Sequence, residues 1–264
     1  MVTNGDDFVH TEYQEHIAWV TMDRPDRHNA MTVNMAGELH GALAESIDAE
    51  DTRAVVLTGT EGVFNTGADL RSLEGDSSDA ETIWSIARNL HNAIRAIVNA
   101  PLPVITGVNG VAAGGGFGLA ISGDIVLMAP DARLEFAYPR IGLSGDGGAT
   151  HMLPALVGHR RATEIAFLDE PIPATEAVDL GLVTRVIDDV PFDEGVERLA
   201  ERLANGPTKA FATYKRLLRA AGQRSLDEQL RNEADAISRL AWSRDYRAGL
   251  EAFFGDGDPV FEGR

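Results

Sequence analysis

Val108-Asn-Gly-Val-Ala-Ala-Gly-Gly-Gly-Phe-Gly118 is the stretch on which the fold turns. The run Pro103–Val108 leading into it is apolar and reads as a buried strand, closed by an Asn109-Gly110 turn. Gly114-Gly-Gly116 then opens a short helix. Taken alone, this start is a tight strand-to-helix turn. It also bares backbone N–H groups at the positive end of a helix dipole, where an anion, or an oxygen that becomes anionic during a reaction, can be held. One loop does not choose between the two.

Working outward, strands and helices alternate. Phe8–Glu15 and Ile17–Met22 read as strands. A helix follows over about Thr32–Ala49, with Met35, Leu39, Leu43 and Ile47 four apart on one face. Arg53–Thr58 is a buried strand. Ser78-x-x-Glu81 has the spacing of a capping box and opens a helix to about Val98. Ile125–Met128, Arg133–Tyr138 and Leu182–Ile187 read as strands. Gly148–Leu156, Arg160–Phe167 and Ala174–Leu180 read as short helices. After Pro191 the pattern is helical: Pro191–Asn205, Pro207–Ala221 and Ser225–Phe254, the last opened by a second capping box, Ser225-x-x-Glu228. The order implies an α/β core over residues 1–190 and a helical C-terminal module over 191–264.

Two further Gly-rich loops, Phe64–Leu70 and Ile141–Gly148, are candidates for chemistry. Neither they nor the first loop match a phosphate-binding G-x-x-x-x-G-K-[ST] or a dinucleotide G-x-G-x-x-G. Gly142-Leu-Ser-Gly-Asp146 misses the nucleophile elbow by its last residue. The seven His are scattered and no H-E-x-x-H occurs, so no metal site is expected.

The 264 residues are 44% apolar and 24% charged, a globular composition. With no Cys, disulfides, thiol nucleophiles and thiolate metal sites are excluded. The net charge is −18, and 21 of the 23 cations are Arg, Lys209 and Lys215 being the lysines. Such a surface suits a high-salt cytoplasm, where self-repulsion is screened, or is simply that of an acidic protein. It offers no basic face to a nucleic acid. The opening MVTNGDDFVH is polar and acidic rather than a signal peptide. No apolar run reaches membrane-spanning length. A soluble cytoplasmic protein is expected.

Together the loops resemble one family. Phe64-Asn-Thr-Gly-Ala-Asp-Leu70 is similar to the (S/A)-G-A-D-(L/I) loop of the crotonase, or enoyl-CoA hydratase/isomerase, superfamily. The opening stretch resembles its N-G-x-A-x-G-G-G signature, and Met22-Asp-Arg-Pro-Asp-Arg-His-Asn-Ala30 its N-R-P-x-x-x-N-A segment. The resemblance continues through Leu153–Gly158 and Ala177–Val186. It implies a crotonase-like spiral of ββα units with a C-terminal helical trimerisation module, assembled as a homotrimer or a hexamer (a dimer of trimers). It implies an acyl-CoA thioester substrate and no separate cofactor, CoA being part of the substrate. Two backbone amides that bind the thioester oxygen map to Ala68 and Gly115. Arg24 and Arg27, with His28 beside them, map to CoA-phosphate contacts or serve as surface ion pairs. The backbone near Ala30 and the loop Thr66, Gly67, Asp69 and Leu70 map to adenine and pantetheine.

Against the hydratase pattern there is a departure. The two water-activating Glu positions map to Gly118 and Arg140, neither of which takes a proton from water. Asp146 instead matches the Asp of the family's enoyl-CoA isomerases and the nucleophilic Asp of 4-chlorobenzoyl-CoA dehalogenase. It is a single acid/base for double-bond isomerisation, a nucleophile, or a turn residue capping the next helix. The dehalogenase comparison maps an active-site His to His91 and a Trp to Tyr138; His91 equally suits a plain helix surface. Hydration through non-standard groups, with Glu135 as one alternative carboxylate, and acyl-CoA binding without turnover complete the readings. Phe64, Leu70, Leu73, Trp84, Phe117 and Met152 are expected around the acyl pocket. Leu226, Leu230, Ile237, Leu240, Ala241, Leu250, Phe253 and Phe254 on the last helix pack either inside the chain or against neighbouring subunits.

Overall fold

A computed structural model describes residues 8–263 except 256. Most of the opening stretch read above as lacking a signal peptide lies outside the described residues. Strand β1 (Val9–Gln14) and strand β2 (Ile17–Met22) form an antiparallel hairpin, Val9 opposite Met22 and Gln14 opposite Ile17. Helix α1 (Val33–Asp48) follows, the Thr32 hydroxyl accepting from the Met35 amide at 3.2 Å.

From there one unit repeats. Strand β3 (Ala54–Gly59) leads to β4 (Val63–Asn65) and helix α2 (Asp79–Asn99). Strand β5 (Val104–Val108) leads to β6 (Val111–Ala113) and α3 (Gly115–Ala120). Strand β7 (Ile125–Met128) leads to β8 (Arg133–Glu135) and α4 (Ala149–Leu168), which breaks at the non-helical Gly158, between the two helices expected from the sequence. Then come β9 (Ile172–Pro173), α5 (Ala174–Asp179) and β10 (Arg185–Val186). The first strand of each unit, with the β1-β2 hairpin and the two-residue β10, forms one sheet, in the order β1-β2-β3-β5-β7-β10. Strands β4, β6, β8 and β9 form a second, in that order. Parallel pairing within each sheet stacks the ββα units as a spiral, and apolar side chains from both sheets and α1, α2 and α4 fill the interior.

Helices α6 (Phe192–Ala204), α7 (Thr208–Ala221), α8 (Leu226–Leu240) and α9 (Arg244–Phe254) follow. Helix α6 lays Val196, Ala200 and Ala204 on Ile17, Ala54, Val56, Ile105 and Leu127, the other face of the first sheet. Helix α7 is pinned to the core by Lys215, whose Nζ donates to Ile97 O at 2.8 Å and meets Asp124 Oδ2 at 2.6 Å. Burial pulls the Lys215 pKa down, opposed by the Asp124 charge. No described helix is long and apolar enough to cross a membrane.

Three readings change. The box at Ser78 does not form: Ser78 is already helical, and its hydroxyl and amide go to Asp76. An N-cap needs extended backbone, as at Ser225, where both bonds of the second box are made. The single helix expected over Ser225–Phe254 is two, parted at Ala241–Ser243. Ser243 turns extended and its hydroxyl accepts from Tyr246 N at 3.0 Å, capping α9. The strand expected to reach Tyr138 ends at Glu135, because Ala137 adopts a left-handed φ of 63° and starts a 3-10 turn, Tyr138–Ile141.

Candidate active site

Three loops meet at the start of α3. The first runs from Asn65 to Leu70. Met31 N donates to Gly67 O at 2.7 Å and Asp69 N to Met31 O at 2.9 Å, a one-residue parallel bridge. In that pattern the residue between them, Ala68, turns its own N–H away from Met31. Gly67 has φ of 81°, and a Cβ there would lie 3.0 Å from Ala113 O and 3.1 Å from Gly115 N. The segments carrying the two mapped amides are therefore in direct contact. Among the described residues neither Ala68 N nor Gly115 N donates a hydrogen bond. Gly115 is the first residue of α3, where no helical acceptor exists. A Cβ there would sit 2.8 Å from Leu90 Cδ2 and 3.1 Å from Met31 Cε, so a side chain would have to push the flexible ends of Leu90 and Met31 aside.

Two buried asparagines hold this arrangement, and neither was picked out from the sequence. Asn65 takes Gly67 N at 2.8 Å and donates to Asn29 O at 2.5 Å. Asn29 takes Arg24 N at 2.7 Å and donates to Val63 O at 2.8 Å. Their signal was present in Asn29-Ala30 and Phe64-Asn65, but their partners are distant in sequence.

The third loop carries Asp146. A Cβ on Gly147 would lie 3.4 Å from Gly115 O, and one on Gly118 only 2.2 Å from Gly147 O. The Asp146 loop thus occupies the space into which any side chain at position 118 would project. The Asp146 carboxylate makes no cap bond to α4; the N-cap is Gly148. Its Oδ1 accepts from the Tyr138 hydroxyl, and its Oδ2 lies 3.6 Å from His91 Nε2 on α2. His91 Nε2 accepts from Gly147 N at 3.2 Å, which assigns the ring as its Nδ1–H tautomer. Burial, with the adjacent Asp146 charge, pushes the Tyr138 phenol far above its ordinary range, so it stays a donor. The Tyr138 ring packs edge-on to Phe136 at 4.9 Å, and Phe136 on Phe117 at 6.0 Å.

The remaining mapped residues divide. Arg24 reaches Ala30 O and Asp69 Oδ2, both at 2.8 Å, and lies over the Phe8 ring. Its charge is spent inside the fold. Burial alone would raise the Asp69 pKa, but the Arg24 bond, the Arg71 amide and the charges of Arg24 and Arg27 hold it below its usual value. Arg27 and His28 are exposed. The Thr66 hydroxyl donates to His28 O at 3.0 Å, Ala30 is buried and Leu70 is exposed beside the loop. Arg140 is clamped by Glu135 at 2.5 Å and Asp169 at 2.6 Å, while Arg133 takes the other Glu135 oxygen at 2.6 Å. Glu135 is consequently no free base: burial raises its pKa, and the two Arg bonds more than reverse that. Phe64 and Phe117 are wholly buried and do not line a pocket, a correction to the expectation above. Met152 does approach the third loop, its Cε 3.2 Å from where a Gly148 Cβ would be.

Two open amides beside a carboxylate are suited to holding an oxygen as it gains charge while a proton moves nearby. Residues 12–264 match the enoyl-CoA hydratase/isomerase family model. A Rhodobacter capsulatus protein named a probable enoyl-CoA hydratase is 38% identical over 97% of this chain and 98% of its own. The 1,2-epoxyphenylacetyl-CoA isomerase of Escherichia coli K12 is 33% identical over 98% of this chain and 99% of its own. A solved structure of an enoyl-CoA hydratase/isomerase family protein from Mycobacterium abscessus superposes with a TM-score of 0.92 at 34% identity, covering 97% of this chain and all of the other. Spiral, loops and comparisons lead to one conclusion: the chain belongs to the enoyl-CoA hydratase/isomerase family.

Proposed function

We propose that the protein shifts the double bond of an enoyl-CoA thioester, with Asp146 as the single acid/base. The observation that carries this is the exchange of carboxylates at the site. Position 118 is closed by Gly147 O and position 140 is a clamped Arg, while Asp146 stands on the loop packed against Gly115. Ala68 N and Gly115 N hold the thioester oxygen. Asp146 Oδ2 takes a proton from the enoyl chain, the electron pair delocalises onto that oxygen as a dienolate, and the same carboxyl returns the proton two carbons away. One group suffices because nothing is added or lost overall. The CoA phosphates fall to the exposed Arg27 and His28 rather than to Arg24, which Asp69 already neutralises. Turnover of a 3-enoyl-CoA, followed by chromatography, tests the reading. Asp146→Asn should abolish it with thermal stability kept, and turnover surviving in that variant would sink the assignment.

His91 beside Asp146 favours a second reading, in which Asp146 attacks a chlorobenzoyl-CoA ring as nucleophile and chloride leaves. Chloride release from 4-chlorobenzoyl-CoA, without isomerisation of a 3-enoyl-CoA, would select it. Assembly as a trimer or hexamer is supported by Leu226, Leu230 and Ile237 on α8 and Phe253 and Phe254 on α9, all exposed. A monomeric mass in molar salt would count against it.

A further inference from the structure

We infer that Tyr138 is a positioning residue that commits one oxygen of Asp146 and leaves the other as the base. This deepens the isomerase proposal and rests on Asp146 acting in it. A carboxylate has two oxygens of equal intrinsic basicity, free to exchange by rotation about the terminal side-chain bond. Here they are made unequal. Oδ1 accepts from the phenol of Tyr138, whose ring is buried against Phe136. Oδ2 faces His91 Nε2 at 3.6 Å, beyond hydrogen-bond distance, and that nitrogen already spends its lone pair on Gly147 N–H. It therefore has no proton to offer Oδ2, which is left without a donor among the described residues.

The phenol is held in its turn. Ala137 N donates to Asp169 Oδ1 at 2.6 Å, and Arg140 Nε binds Asp169 Oδ2 at 2.6 Å. These bonds fix both ends of the turn that aims Tyr138, including the left-handed Ala137. The Arg at the second hydratase position therefore has work in this chain: through Asp169 it sets the turn that sets Tyr138. On the other side, Gly145 lies so close to Phe136 that a Cβ would meet the ring at 2.5 Å. The loop with Asp146 and the aromatic stack with Tyr138 are thus registered against each other.

The test is an NMR titration of protein labelled with 13C at the Asp carboxyls, Asp146 being assigned by its loss in Asp146→Asn. Tyr138 and His91 are the titratable groups recorded facing this carboxylate, so the comparison is made at pH values on both sides of the His range. In Tyr138→Phe the phenol donor is gone, and a carboxylate losing a donor becomes more basic. The Asp146 midpoint should move to higher pH than in wild type. On a 3-enoyl-CoA, kcat should fall by roughly tenfold with KM little changed, the split expected when a base is misaimed rather than binding lost. An Asp146 midpoint in Tyr138→Phe equal to the wild type's would overturn the inference. If Tyr138→Phe does not fold, the reciprocal titration decides. With 13Cζ-labelled tyrosine, Tyr138 should stay protonated through about pH 11 in wild type and ionise at lower pH in Asp146→Asn; identical titrations would overturn the pairing. Wild-type protein that turns over no 3-enoyl-CoA would refute the isomerase reading instead, and the two titrations, which need no substrate, would still decide the role of Tyr138.

Discussion

A methyl group placed at residue 118 is the sharpest probe of this site. In Gly118→Ala the new Cβ would begin 2.2 Å from Gly147 O and 2.9 Å from Gly147 C, both backbone atoms. Ordinary contact needs roughly 3.2–3.5 Å, so the 145–148 loop must retreat by about 1 Å. Gly147 and Gly148 have φ of 58° and 70°, and Phe136 blocks the loop at Gly145, so the displacement cannot be absorbed locally. Overpacking of this kind costs about 1–3 kcal/mol, a fall of about 2–10 °C in Tm for a chain this size. A reacting group moved by 1 Å loses about 10²-fold in rate. Differential scanning fluorimetry together with 3-enoyl-CoA turnover measures both effects. Gly118→Glu should show the same losses and no gain of hydration, although it restores the hydratase residue. An alanine variant as stable and as fast as wild type would refute the claim that loop 145–148 excludes a side chain here.

Two further outcomes follow from the same contacts. Asp69 and Glu135 both have folded pKa values below their ordinary ones, so the stability they contribute is fully present above about pH 4.5 and is lost as pH falls through the folded values; Arg24→Gln should shift the acid-unfolding midpoint to higher pH in melts recorded from about pH 3 to pH 7, and an unchanged midpoint would remove Asp69 from the account. Ser243→Ala should cost about 1 kcal/mol by removing the α9 cap, visible in urea unfolding, whereas the same change at Ser78, which caps nothing, should cost markedly less.

The first sheet was legible because Val55-Val-Leu57 and Val104–Val108 are buried runs of strand-forming residues. Of the second sheet only β8 was, inside Arg133–Tyr138. Val63–Asn65 and Val111–Ala113 are three residues each, too short for any period, and they pair only because the longer strands carry them into register. The α8–α9 break was hidden because apolar spacing runs on past Ala241, and only the backbone at Ser243 reveals the new start. At the site, Gly115, Ala68 and Asp146 could be picked out by motif. What could not be picked out was which groups spend their capacity on each other. Arg24 on Asp69, Arg140 on Glu135 and Asp169, and Tyr138 on Asp146 are pairings across 45, 5, 29 and 8 residues, set by folding rather than by pattern.

Lysine is so rare in this chain that the anchoring of α7 has a practical side. Of the two lysines, Lys215 is walled in by Ile97, Leu102 and Asp124, and Lys209, six residues earlier on the same helix, is exposed. An amine-directed dye or resin therefore finds one receptive side chain besides the α-amino group, so tethering through Lys209 would present a population of molecules in a common orientation.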